Sequence, residues 1–243
     1  MKFAGINGMI GASLANTMTA RLAHTKTMSL VCFANMIAFG MLMTQNIMTS
    51  VYVAKEDAMS AKIGMDENMN LMNIAIMFGL CTVSYCGWVE TGSEKLVTLP
   101  TWSSLSDLET FNYVHCGIGL LFGVPAVFMP AMLLDNYLPG NVWNGTEEIM
   151  CMELMKFMGM LLIGSAIRGI CIIQGGDENA PYSHTRANVL WYAMILGFMV
   201  FADTNATKVF GMNMDDVMPA KVFDFVRNFG MFYWGTQTLI KND

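Results

Sequence analysis

The sequence has few charged residues for its length. Of its 243 residues, 13% are charged and 54% are hydrophobic, whereas about a quarter of the residues in an ordinary soluble domain are charged. A soluble fold of this size needs a charged shell over its apolar core. The charges present are bunched between long apolar runs, and the mean hydropathy is +0.45. The scarcity of charge therefore predicts an integral membrane protein.

Sequence patterns typical of catalysis and of metal binding are also missing. The chain carries no P-loop, HExxH, GxSxG or dinucleotide-binding motif. Its six cysteines are scattered, and no two of them form a CxxC pair. A net charge of −6 argues against a nucleic-acid partner, which normally requires a basic face. We therefore expect a protein that is not an enzyme and that has neither a metal site nor a nucleic-acid partner.

Histidine is scarce, and this limits the cofactors that can be held. The three histidines are His24, His115 and His184, and only His115 falls inside a predicted span. A bis-histidine haem is therefore not expected, although one histidine can hold a chlorophyll or a five-coordinate haem. The light-harvesting antenna pattern ELxNGRxAM is also missing, because the segment that begins at Glu153 keeps the glutamate but lacks the asparagine and the arginine.

Acidic residues are missing from the first part of the chain. Residues 1–27 include Lys2, Arg21 and Lys26 with several serines and threonines, and the first acidic residue is Glu56. A weakly basic, hydroxyl-rich leader without acids is typical of targeting to an organelle. The alternative is an ordinary cytoplasmic tail with an amphipathic segment. We divide the chain into a leader or amphipathic segment, 1–27, and one transmembrane domain, 28–243.

Long apolar runs are what the sequence has in abundance. A spanning helix needs about 20 mostly apolar residues. Five runs meet this requirement, namely residues 28–53, 70–89, 111–134, 152–173 and 187–202. A sixth, 222–240, is rich in aromatic residues and holds Asp224 and Arg227 at a spacing that lets them pair on one helical face. It fits either a short span or a helix lying in the interface. The predicted fold is an all-α polytopic bundle of five or six transmembrane helices.

Prolines and glycines add detail to the predicted spans. Pro125 and Pro130 both lie in the third run, and we expect Pro125 to kink it because proline removes a backbone donor. Gly119 and Gly123 have the small-xxx-small spacing that permits close approach of membrane helices. These residues predict tight packing within the chain or against other subunits.

Ionisable residues at membrane depth are costly and are therefore the main candidates for a site. Arg168 lies near the end of the fourth run, at a depth that antiparallel packing shares with Glu90 and His115. We predict that these three form a polar cluster that binds a ligand, a proton or a pigment. The structural alternative is an arginine that pairs with a carboxylate or snorkels to the headgroups. Near the opposite face, Lys156 and Asp203 are expected to pair.

These features favour an accessory, non-catalytic subunit of a large energy-converting complex. Its expected partners are other membrane subunits and the lipid bilayer. A photosystem in the thylakoid membrane is favoured over a complex of the mitochondrial inner membrane, because His115 and several amides can ligate or hydrogen-bond chlorophyll, carotenoid or lipid. The amides are Asn35, Gln45, Asn46, Asn73 and Asn188. The alternative is a small transporter or channel, in which Pro125 kinks a mobile helix and Glu90, His115 and Arg168 line a path.

Overall fold

The computed structural model describes residues 25–54, 67–94, 104–137, 145–209 and 218–243. All regular secondary structure in these ranges is helical, and they contain no strand. The helices are α1 Thr25–Ala54, α2 Glu67–Glu90, α3 Asp107–Phe128, α4 Pro130–Tyr137, α5 Gly145–Gly175, α6 Ala180–Val209 and α7 Met218–Asn242. Most of the predicted leader lies outside the described residues, and its last three residues form the start of α1.

Four helices in the described part of the chain are long and apolar enough to cross a bilayer. They contain the candidate spans Thr25–Val51, Leu71–Glu90, Asp107–Phe128 and Cys151–Gly175. The predicted all-α membrane bundle is therefore confirmed. Helices α6 and α7, with 30 and 25 residues, are long enough to cross as well.

Helix α3 begins at a capping box. The Ser106 hydroxyl accepts a hydrogen bond from the Glu109 backbone N–H, and the Glu109 carboxylate accepts one from the Ser106 backbone N–H at 2.8 Å. Two of the backbone donors that a helix leaves unpaired at its start are thereby satisfied. The cap fixes the first turn of α3, which places Asn112 and His115 one and two turns further along.

The prediction of one continuous third span over 111–134 is wrong. Helix α3 ends at Phe128, and Pro130 begins the short helix α4. The break falls at Met129, whose backbone N–H bonds to the Pro125 carbonyl at 2.7 Å. A residue that precedes proline is sterically disfavoured in the helical conformation, and Met129 has φ −135° and ψ 50°. Pro130 therefore ends α3, whereas Pro125 lies within it.

The long helices pack in a row, in which α2 lies against α1, α1 against α5 and α5 against α3. Helices α6 and α7 pack against each other and against α3. The α3–α5 contact depends on glycine, because a Cβ on Gly159 would lie 2.7 Å from the Gly123 carbonyl oxygen. In the same way, a Cβ on Gly164 would lie 2.7 Å from Ala38 Cβ in α1. Small residues thus let α5 approach its neighbours on both sides.

Helix α7 runs antiparallel to α3 along most of its length. Lys241 Nζ lies 3.3 Å from Asp107 Oδ2 at the start of α3, and the Arg227 guanidinium lies 4.4 Å from the Phe122 ring centroid near its end. Arg227 Nη2 also pairs with Asp224 Oδ1 at 3.1 Å, which confirms the predicted pairing. The helix therefore follows the direction of the candidate span in α3 and does not lie across it.

Candidate functional site

Buried polar side chains join the starts of α3 and α6. Asn112 Nδ2 donates to Thr185 Oγ1 at 2.7 Å and to the Pro181 carbonyl at 3.1 Å. Asn188 Nδ2 donates to Asn112 Oδ1 at 3.1 Å. Asn112, Thr185 and Asn188 are all buried, and hydrogen bonds between buried amides set the register of two helices in an apolar surrounding. These hydrogen bonds hold α3 and α6 side by side in a parallel orientation, and they position the residues in the next turn of each helix.

His115 lies one turn beyond Asn112, and neighbouring rings enclose it. Its Nδ1 is 2.8 Å from Tyr192 Oη. Its ring centroid is 5.4 Å from that of Trp191 and 6.4 Å from that of His184, both nearly edge-on. Only 4% of His115 is exposed. The phenol of Tyr192 donates to Nδ1 when that nitrogen carries no proton.

Arg168 joins this cluster from α5. It is 5% exposed, and its charge acts electrostatically on His115, Cys116 and His184. The structure thus brings two of the three predicted site residues, His115 and Arg168, into one buried group. We call this group the histidine–arginine cluster and define it by His115, Arg168, His184, Trp191 and Tyr192.

Glu90, the third predicted residue, lies apart from this cluster. It is exposed at the end of α2, which packs mainly against α1. Two residues at a similar depth in the bilayer are not in contact when a third helix lies between the helices that carry them. The prediction assumed that α2 is a neighbour of α5, and the sequence has no feature that shows α1 between them.

His184 is the histidine of the cluster that the sequence analysis left outside the predicted spans. The predicted fifth span starts at residue 187, whereas α6 starts at Ala180, so His184 lies in the second turn of the helix. It is 0% exposed. The sequence analysis placed only His115 inside a span, and the structure adds His184 as a second histidine that is buried within the helical bundle. A usable signal was present, since His184, Asn188 and Trp191 recur at i, i+4 and i+7 on one helical face.

A glycine in α5 makes room for His184. A Cβ on Gly169 would lie 2.5 Å from Cys116 Sγ and 3.0 Å from His184 Nε2. Within the described part of the chain, neither ring nitrogen of His184 has a hydrogen-bond partner, and the same is true of Trp191 Nε1. These three nitrogen atoms are all buried. The cluster therefore offers hydrogen-bonding capacity that the described side chains leave unused.

A second polar group joins α1 and α5 near their other ends. The Glu153 carboxylate accepts from Gln45 Nε2 at 2.8 Å, from Thr49 Oγ1 at 2.6 Å and from Lys156 Nζ at 2.5 Å. Lys156 thus pairs with Glu153 of its own helix, and the side chain of Asp203, its predicted partner, lies outside the described residues. The three donors compensate this carboxylate, so the group serves to fix α1 on α5.

Among the described residues, no three His, Cys, Asp or Glu side chains are grouped so that they could hold a metal ion. Comparisons with protein-family models, curated proteins and solved structures find no match to this chain. Any functional conclusion therefore depends on the residues and their geometry.

Proposed function

We propose that the chain is an accessory, non-catalytic subunit of a large energy-converting complex in an organellar membrane. The observation that carries this proposal is the exposure of α2. Of its candidate span Leu71–Glu90, 6% is buried, and Phe78 and Val83 are 62% and 70% exposed. Because α2 packs mainly against α1, most of its apolar circumference faces outward, toward lipid or another subunit.

The outward side of α2 also has the residues that membrane helices use to pack. Ala75, Gly79, Thr82 and Cys86 are exposed and recur at i, i+4, i+7 and i+11. A Cβ on Gly79 would meet nothing within 4 Å. Small residues in such a row let a second backbone approach closely, and this close packing drives association within lipid, where apolar burial alone contributes little. This arrangement supports a partner helix on α2.

In this proposal the complex is a photosystem of the thylakoid membrane, with the mitochondrial inner membrane as the alternative location. The acid-free leader supports an organelle. Chlorophyll, carotenoid and lipid are the molecules we expect along the chain. His115, the predicted pigment ligand, is enclosed by Tyr192, Trp191 and His184, so a chlorophyll could reach it only if these rings moved apart. The outward faces of α2 and α7 are the better location for pigment.

Isolation of the native protein tests this function. The membrane is solubilised in a mild detergent, and the apparent size and absorption spectrum of the fraction that holds the chain are recorded. We expect co-migration with a pigmented complex much larger than 26.9 kDa. Co-migration with a respiratory complex would keep the accessory role and overturn the photosystem assignment. A pigment-free monomer or dimer would contradict the proposal and favour transport.

A further inference from the structure

We draw no further inference here: the strongest candidate, the buried side-chain cluster of His115, His184, Trp191 and Tyr192 between α3 and α6, belongs to the site already described, and nothing in the structure shows what the buried nitrogen atoms of His184 and Trp191 would bind.

Discussion

Single polar side chains position the elements of this bundle, and Asn112 is the clearest case. Its amide bonds Thr185, Asn188 and the Pro181 carbonyl. Asn112→Leu removes all of these bonds and leaves the buried Asn188 amide without its acceptor, while the Thr185 hydroxyl keeps its bond to the Pro181 carbonyl. Unpaired buried groups cost about 1–3 kcal/mol each in soluble proteins, but side-chain hydrogen bonds in membrane proteins average about 0.6 kcal/mol. We expect a loss of about 1–3 kcal/mol in the free energy of unfolding, measured by denaturation in mixed micelles.

Asn73→Leu is the matched control for that substitution. Asn73 lies on the largely exposed helix α2 and is only half-buried, so its change is expected to stay within about 0.5 kcal/mol. Equal losses from the two substitutions would show that Asn112 does not hold α3 against α6.

Gly169 is a second residue that positions the helices, because its lack of a Cβ lets α5 pack closely against α3 and α6. Gly169→Ala places a Cβ 2.5 Å from Cys116 Sγ, and such overpacking typically costs about 1–3 kcal/mol. Gly197→Ala meets nothing within 4 Å and is expected to stabilise α6 by up to about 1 kcal/mol through helix propensity. Adding Cys116→Ala to Gly169→Ala should recover part of the loss. The absence of any recovery in the same unfolding measurement would contradict this account.

At the scale of the element, the predicted helix bounds match the observed ones where the length of an apolar run sets them. They differ where a proline or a contact with a neighbouring helix sets them. The apolar runs of α1 and α2 were located to within three residues at each end. The predicted third span, 111–134, is longer than α3 because Pro130 ends that helix at Met129. The residues from 130 to 134 are apolar enough for a span, so hydropathy alone does not show this end. Helix α6 starts seven residues before its predicted span, and Thr185 in this added part is hydrogen-bonded by Asn112 of α3.

Helix α2 supplies the prediction at this scale. Gly79→Leu puts a large side chain on the small-residue row of its outer face. Because a Cβ there meets nothing within 4 Å, we expect the isolated chain to unfold as before, whereas the native complex should lose the subunit on a native gel.

Gly230→Leu on α7 is the control for Gly79→Leu, since its Cβ also meets nothing within 4 Å. It is expected to leave the subunit in the complex. Retention of the Gly79→Leu chain in the complex would rule out a partner helix on this face of α2.

At the scale of the whole molecule, the path of α7 makes a prediction about topology. Lys241 pairs with Asp107 across 3.3 Å, so the start of α3 and the end of α7 lie at the same end of the bundle. Single cysteines at Asp107 and Asp243 should therefore react with a membrane-impermeant thiol reagent from the same side. A cysteine at Val51, at the far end of α1, should react from the opposite side.

The labelling is done in a chain whose exposed Cys86 is alanine, so that the introduced thiols are the accessible ones. If the cysteines introduced at Asp107 and Asp243 react from opposite sides of the membrane, α7 does not cross the bilayer beside α3.

The membrane fold followed from composition and from the lengths of the apolar runs, because a bilayer imposes a minimum length and a low charge on any helix that crosses it. The order of the helices did not follow from them. An apolar helix face packs against lipid about as favourably as against another apolar helix. Which helices become neighbours therefore depends on small residues and polar pairs that come together only in the folded structure. This is why Arg168 lies beside His115 and His184 while Glu90, predicted at a similar depth, is separated from them by α1.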